Sequence, residues 1–218
     1  MTNLDSVYDR DYSPGEMIAD AAIHGVAIVA GVIGFSVLFE KVATRGSALD
    51  AAAMAVYAAG FFLMFGFSCA YNMAPPSTAK RLLRSLDHSA IYLMIGGTYT
   101  ALLSQSRDLT LGLALAVVVW TGVAVGMALK LFLPGRFDRV AIGVYLALGW
   151  SAVIAFRPLM AALPPATLAL TLVGGAVYSL GAIFYLWRSL KFQNAIWHAL
   201  VAIAAACHFA GVLQAVGN

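Results

Sequence analysis

Charge is scarce in this chain. Only 11% of its 218 residues are Asp, Glu, Lys or Arg, while 62% are hydrophobic; ordinary soluble domains carry roughly 25% and about 45–50%. A globule of this length has too little interior to bury so much apolar surface, so the scarcity excludes a soluble domain. The net charge of +3 is too small to point to nucleic acid as a partner. Cysteine is scarce too. The two present, Cys69 and Cys207, both fall inside apolar runs, which argues against a disulfide and reads them as small buried hydrophobes. The opening residues, MTNLDSVYDRDYSPGE, lack the basic region and short apolar core of a cleavable signal peptide. The first apolar segment is therefore expected to target the chain and to stay in place.

What is abundant comes in blocks. Seven apolar stretches run approximately over 18–38, 50–73, 87–105, 109–133, 139–157, 164–187 and 195–216. Each is close to the ~20 residues that a helix needs to cross a ~30 Å hydrocarbon layer. Helices satisfy their own backbone in lipid, and the blocks lack the period-two pattern of barrel strands. The sequence thus predicts an all-α membrane protein, a seven-transmembrane-helix bundle. Pro75-Pro76, Pro134-Gly135 and Pro158 close spans two, four and five, and Pro164-Pro165 suits the opening turn of span six. Connections are short and no internal repeat is evident, so residues 1–218 are expected to form one membrane domain behind a polar tail, 1–17. Nine Lys and Arg lie on the side of the N-terminal tail and of the loops after spans two, four and six: Arg10, Lys80, Arg81, Arg84, Lys130, Arg136, Arg139, Arg188 and Lys191. Four lie on the other side: Lys41, Arg45, Arg107 and Arg157. The positive-inside rule then places the N-terminus in the cytoplasm and the C-terminus outside.

Polar side chains within such spans are costly and are candidates for function. Glu16, Asp20 and His24 recur every four residues at the start of span one and share a face. They suit a proton-handling row or a helix start whose acids favour the dipole. Ser68 and Asn72 share a face at the end of span two, Asp87 and His88 begin span three, and Asn194 and His198 begin span seven. With the orientation above, four separate segments deliver polar groups to one membrane depth. Imidazole and carboxylate suit a borderline cation such as zinc, although amides seldom hold it. Asp87 could equally cap the third helix. His88 is expected to diverge from Asp87 by ~100°, and His208 to be buried and hydrogen-bonded. Gly96-Gly97, Gly174-Gly175 and the small run from Ala202 to Ala206 suit close helix packing. Tyr and Trp near span ends suit interface anchors.

The segments EMIADAAIHGVA (16–27), SCAYN (68–72), LRSLDHSAIYLMIGGTYT (83–100) and NAIWHALVAIAAACHFAGV (194–212) resemble the bacterial hemolysin III group of the seven-helix progestin and adiponectin receptor family. The resemblance spans the whole chain and implies a multi-pass protein of the bacterial cytoplasmic (inner) membrane. It implies a zinc near the cytoplasmic face, held by one His of helix two and two of helix seven, with a Ser and an Asp positioning its water. Carried over, the Ser falls on Ser68, the Asp on Asp87 and one ligand on His198. The other two ligand positions hold Asn72 and Asn194. Zinc is therefore expected to be weak or absent, unless Asp87 ligates directly or His24 or Cys69 swings in.

By this resemblance the chain is expected to be a zinc-dependent hydrolase scaffold for lipid amides such as ceramide, with its metal site disrupted. Asp87 and Ser68 would be the catalytic pair, and a membrane lipid or fatty acyl chain would occupy a cytoplasm-facing cavity. The alternative is a non-enzymatic sensor of membrane lipid composition or energetics. A pore is less favoured, because the spans are too apolar to line a wide channel.

Overall fold

The computed structural model describes residues 12–106, 108–133, 138–153 and 163–216. Seven α-helices follow one another among these residues: α1 (Pro14–Arg45), α2 (Ala48–Met73), α3 (Thr78–Ser104), α4 (Leu109–Phe132), α5 (Asp138–Gly149), α6 (Pro165–Leu186) and α7 (Gln193–Ala215). A 3-10 turn, Trp150–Val153, continues α5. No strand occurs among the described residues. Five helices, α1, α2, α4, α6 and α7, are long and apolar enough to cross a membrane.

Local chemistry sets the helix starts. Ser13 accepts from the Glu16 amide and Glu16 returns a bond to Ser13, a reciprocal box that starts α1. Ser47 and Asp50 repeat the device at α2. Asp108 caps α4, and Pro165 occupies the first turn of α6 as expected. Helix α1 therefore begins at Pro14, within the stretch expected to be tail, and runs on to Arg45. Helix α3 differs more. Ser77 caps it, and it starts at Thr78 rather than near residue 87. Asp87 is therefore no cap: it stands well inside the helix, and Lys80, Arg81 and Arg84 ride on the first turns instead of in a loop. A polar first half hid this start from an apolar-run reading. The closures expected at Pro134-Gly135 and Pro158 lie outside the described residues, as do Arg10, Arg107, Arg136 and Arg157.

Cross-helix contacts fix the directions. Asp20 meets His198 near the starts of α1 and α7, and Lys41 donates to the Leu213 carbonyl near their ends. Those two helices are therefore parallel. Asp50 pairs with Gln105, so α2 runs against α3. Trp120 donates to Thr100 and sets α4 against α3. Tyr145 bonds the His88 carbonyl and Tyr99 bonds the Gly149 carbonyl, aligning α5 with α3. Thr167 donates to the Gly211 carbonyl, placing α6 against α7. Up-and-down alternation then brings the starts of α1, α3 and α7 and the end of α2 to one end of the bundle.

Lipid tails are as apolar as Leu, so helices in a bilayer associate by close packing and hydrogen bonds. Glycine makes a close crossing between α2 and α3. A Cβ on Gly60 would sit 2.7 Å from the Leu93 carbonyl oxygen, and one on Gly97 would sit 3.0 Å from the Tyr57 Cα. Both obstacles are backbone and cannot swing away. Gly60→Ala and Gly97→Ala are each expected to cost about 1–3 kcal/mol by overpacking, read as a lowered unfolding temperature in detergent. Gly66→Ala on the same helix meets nothing within 4 Å and should hold or raise that temperature, since Ala favours a helix over Gly.

Candidate functional site

The buried stripe of α1 begins with Glu16, Asp20 and His24 and continues through Ala27, Gly31 and Phe35. The three polar residues thus share their face with the apolar core, and the bundle must satisfy them. Asp20 does so across to α7: its Oδ1 lies 2.6 Å from Nδ1 of His198. On the other side of that ring, Nε2 lies 3.1 Å from the Ser68 hydroxyl on α2. His24 packs its ring edge-on against His198, with centroids 4.5 Å apart. Its Nδ1 donates to the Asp20 backbone carbonyl at 2.8 Å, which leaves Nε2 with the lone pair. Among the described residues, two buried atoms here have no hydrogen-bond partner, Asp20 Oδ2 and His24 Nε2.

Asn72 and Asn194 complete the wall. The Asn194 amide donates to Asn72 Oδ1 at 3.0 Å. Asn72 in turn donates to the Ser68 carbonyl at 2.8 Å and lies 3.4 Å from the Ser68 hydroxyl. Asp87, on α3, has its carboxyl near the Ser68 hydroxyl and His198. Ser68, Asn72, Asp87, Asn194 and His198 border one cavity of about 280 Å³. Lys80, Arg84, Lys130 and Arg188 border the same end, while Met94, Leu102 and Val201 line it farther along. On α3 the lining runs from Arg84 to Leu102, about 27 Å at 1.5 Å per residue, most of the ~30 Å hydrocarbon thickness.

Other sequence candidates find different places. Glu16 does not border the cavity. Its carboxylate accepts from the Ser13 amide and hydroxyl and from the Phe192 amide. It therefore holds the start of α7, where Phe192 takes a left-handed conformation at φ 59°. His88 borders the cavity together with Asp87; the space is wide enough that neighbours ~100° apart both reach it. His208 is hydrogen-bonded as expected, to the Thr171 carbonyl at 3.1 Å, but only part-buried. Gly174 makes room for it, since a Cβ there would lie 2.3 Å from the ring. Cys69 and Cys207 are free thiols.

The fit of a metal follows from these bonds. At the positions that the resemblance assigns to zinc ligands, the set does not fit. Asn72 commits its oxygen to Asn194, amides are poor zinc donors, and only His198 offers an imidazole. The one cluster among the described residues with the chemistry to hold a cation is Asp20, His24 and His198, all buried, with one ligand atom from each within 4.8 Å of the others. Two imidazoles and a carboxylate are a donor set that zinc accepts. Spacing along the sequence put Asp20 and His24 in the polar row of span one. Only the parallel packing of α1 on α7 shows that they belong with His198.

The chain matches the family described as "Haemolysin-III related" over residues 16–209. It is 36% identical over 198 residues to "Hemolysin-3 homolog" of Bacillus subtilis (strain 168), covering 91% of this chain and 93% of that protein. It is 36% identical to "Hemolysin-3" of Bacillus cereus, covering 91% and 90%. A more distant relative is "Monocyte to macrophage differentiation factor" of Homo sapiens, 24% identical, with 89% and 82% covered.

The Glu16 carboxylate carries a testable consequence. Glu16→Ala leaves the Phe192 amide without its acceptor and removes the box at the start of α1. The expected cost is about 1–3 kcal/mol, measured by thermal unfolding, and Glu16→Gln should lose less because its amide oxygen can still accept.

Proposed function

The chain belongs to the haemolysin-III related family of multi-pass membrane proteins, and from that premise we propose that it is a hydrolase scaffold for lipid amides that draws an acyl chain into its central cavity. One observation carries the reading: a long cavity that is polar and cationic at one end and apolar farther along. An amphiphile with a single tail has that same polarity profile, and the volume lies near the lower end of the ~300–1,000 Å³ common for ligand pockets. The tail would lie along Met94, Leu102 and Val201. The amide carbonyl would rest at Ser68, Asn72 and His198, and the cationic residues at that end suit the carboxylate of a released fatty acid. All seven helices are taken to cross the membrane as one domain, with the N-terminus in the cytoplasm, so the polar end opens to that side.

Zinc, where a protein of this kind binds it, polarises a carbonyl and activates water. The Asn72–Asn194 pair closes the expected ligand positions in this chain, so the residues that bind and orient the lipid are assigned here without it. The same amide pair favours a second reading, a sensor that binds an acyl chain and does not cleave it.

Two measurements test the proposal. Filling the apolar part with Val201→Trp should abolish binding of a fluorescent acyl amide to the purified protein while the helical signal remains. Undiminished binding would sink the cavity as the lipid site. Restoring both imidazoles with Asn72→His and Asn194→His should raise zinc affinity by at least ~100-fold, judged against the ~10–100-fold that outer-shell losses cost. Metal analysis after dialysis reads this directly, and no gain would show that these positions are not ligand positions.

A further inference from the structure

We infer that Ser68, His198 and Asp20 form a metal-independent relay of nucleophile, base and orienting carboxylate, through which this chain cleaves an acyl amide by way of a covalent acyl-Ser68. The inference rests on the lipid-hydrolase reading and names its reacting groups.

Hydrogen-bond logic sets the proton positions. The Asp20 carboxylate can only accept, so His198 Nδ1, 2.6 Å away, carries the proton. In the neutral ring Nε2 then holds the lone pair, and the Ser68 hydroxyl at 3.1 Å is in reach to donate to it, with the Asp87 carboxylate beside the same hydroxyl as a second acceptor. That is the arrangement a serine nucleophile requires: the base in reach of the hydroxyl, and a carboxylate behind it selecting the tautomer. Three helices supply the three groups, so no local helical spacing produces the alignment. Ser68 and His198 both border the cavity, whereas Asp20 does not. Its side chain is 4% exposed, so it touches the base and not the substrate. His24 braces the imidazole from the side at 4.5 Å. Asn72, oriented by Asn194, gives one N–H to the Ser68 carbonyl at 2.8 Å and brings the other to the side of the nucleophile, 3.4 Å from its hydroxyl. It is the donor placed to receive charge developing on the carbonyl oxygen.

The chemistry balances without an oxidant or a metal. The Ser68 hydroxyl gives its proton to His198 Nε2 as its oxygen bonds the amide carbon, and the carbonyl oxygen takes the negative charge. Collapse breaks the C–N bond, and the amine leaves with the proton from Nε2. Water then attacks the acyl-Ser68 carbon and passes a proton to Nε2. The second collapse breaks the C–O bond to Ser68, returns the proton to its hydroxyl and releases the fatty acid. Asp20 is a positioning residue throughout, accepting from Nδ1 and stabilising the imidazolium.

The test uses the full chain in nanodiscs with a fluorophosphonate probe, which phosphonylates a serine only where a base activates it. Mass spectrometry of the wild-type protein should place one adduct on Ser68, and this mapping needs no variant. Ser68→Ala should lose it, and Ser89→Ala, a buried serine outside the cavity lining, should keep it. Hydrolysis of a fluorogenic acyl amide should survive a strong chelator. Asp20→Asn should lower kcat by about 10³–10⁴-fold with KM unchanged, whereas a merely structural role would shift KM along with kcat. Asn72→Ala should lower kcat by about 10²–10³-fold. An unmodified Ser68 in the wild-type protein, or hydrolysis that a chelator abolishes, overturns the relay. Chelator-sensitive hydrolysis leaves the lipid-hydrolase reading standing. Acyl-chain binding with neither adduct nor hydrolysis sinks both.

Discussion

A carboxylate among apolar helices has to be paired. Isolated, it costs several kcal/mol even after the protein relaxes around it, and Asp20 is only 3% exposed. The 2.6 Å bond from His198 meets that demand, and much of the bundle is arranged so that it can form. Helix α1 must lie parallel to α7 in the right register. The Glu16–Phe192 and Lys41–Leu213 bonds hold that register at the two ends. The His198 ring must present its second nitrogen to α2, where Ser68 receives it. One imidazole thereby links three helices at one depth.

Around this link the scaffold is held by shape. Rings fit into glycine notches: Phe61 against Gly31, Tyr92 against Gly126, His208 against Gly174. In each case a Cβ would collide with the ring. Phe35 gathers Tyr57, Phe61, Phe62 and Phe209 around itself with centroids 5.2–5.5 Å apart. Such packing is what remains when the hydrophobic effect no longer separates helix–helix from helix–lipid contact. It also explains why the polar groups can be so few. They do not hold the bundle together along its length; they line one end of a cavity that close apolar packing leaves open.

Much of this was legible in the residues. Long apolar blocks gave seven helices in nearly the right places, with Pro75-Pro76 and Pro164-Pro165 at two of their ends, and the interval of four along Glu16, Asp20 and His24 marked a real buried stripe. Opposite-end alternation of the spans by itself brings the polar segments to one depth. Two things were not legible. The start of α3 was masked because a helix whose first turns carry Lys80, Arg81 and Arg84 has no apolar signal there. The partner of His198 was hidden for a deeper reason. Spacing tells which residues share a face of one helix, but not which faces of two helices meet. Asp87, Asn72 and Asn194 had a motif to recommend them, while Asp20 had only its position. Glu16 shows the opposite error: it sat in the same row as Asp20, yet one helical turn nearer the end it serves a cap and the start of α7.

The fate of His198 Nε2 connects these observations. That nitrogen has one lone pair in the neutral ring. It can coordinate a metal or accept from Ser68, but not both. Imidazoles at positions 72 and 194 would favour a cation at this wall and draw Nε2 into its coordination shell, leaving Ser68 as a neighbour of bound water. Amides at those positions have the opposite effect. They bond one another, direct an N–H toward Ser68, and leave Nε2 to the hydroxyl. The buried carboxylate serves either state, because an oriented Nδ1–H strengthens the ring as a ligand and as a base alike. Asn72 and Asn194, on two helices, therefore act on a single atom of a third residue. Their joint presence makes physical sense as a wall that leaves this nitrogen to a hydroxyl where the resemblance would give it to a cation.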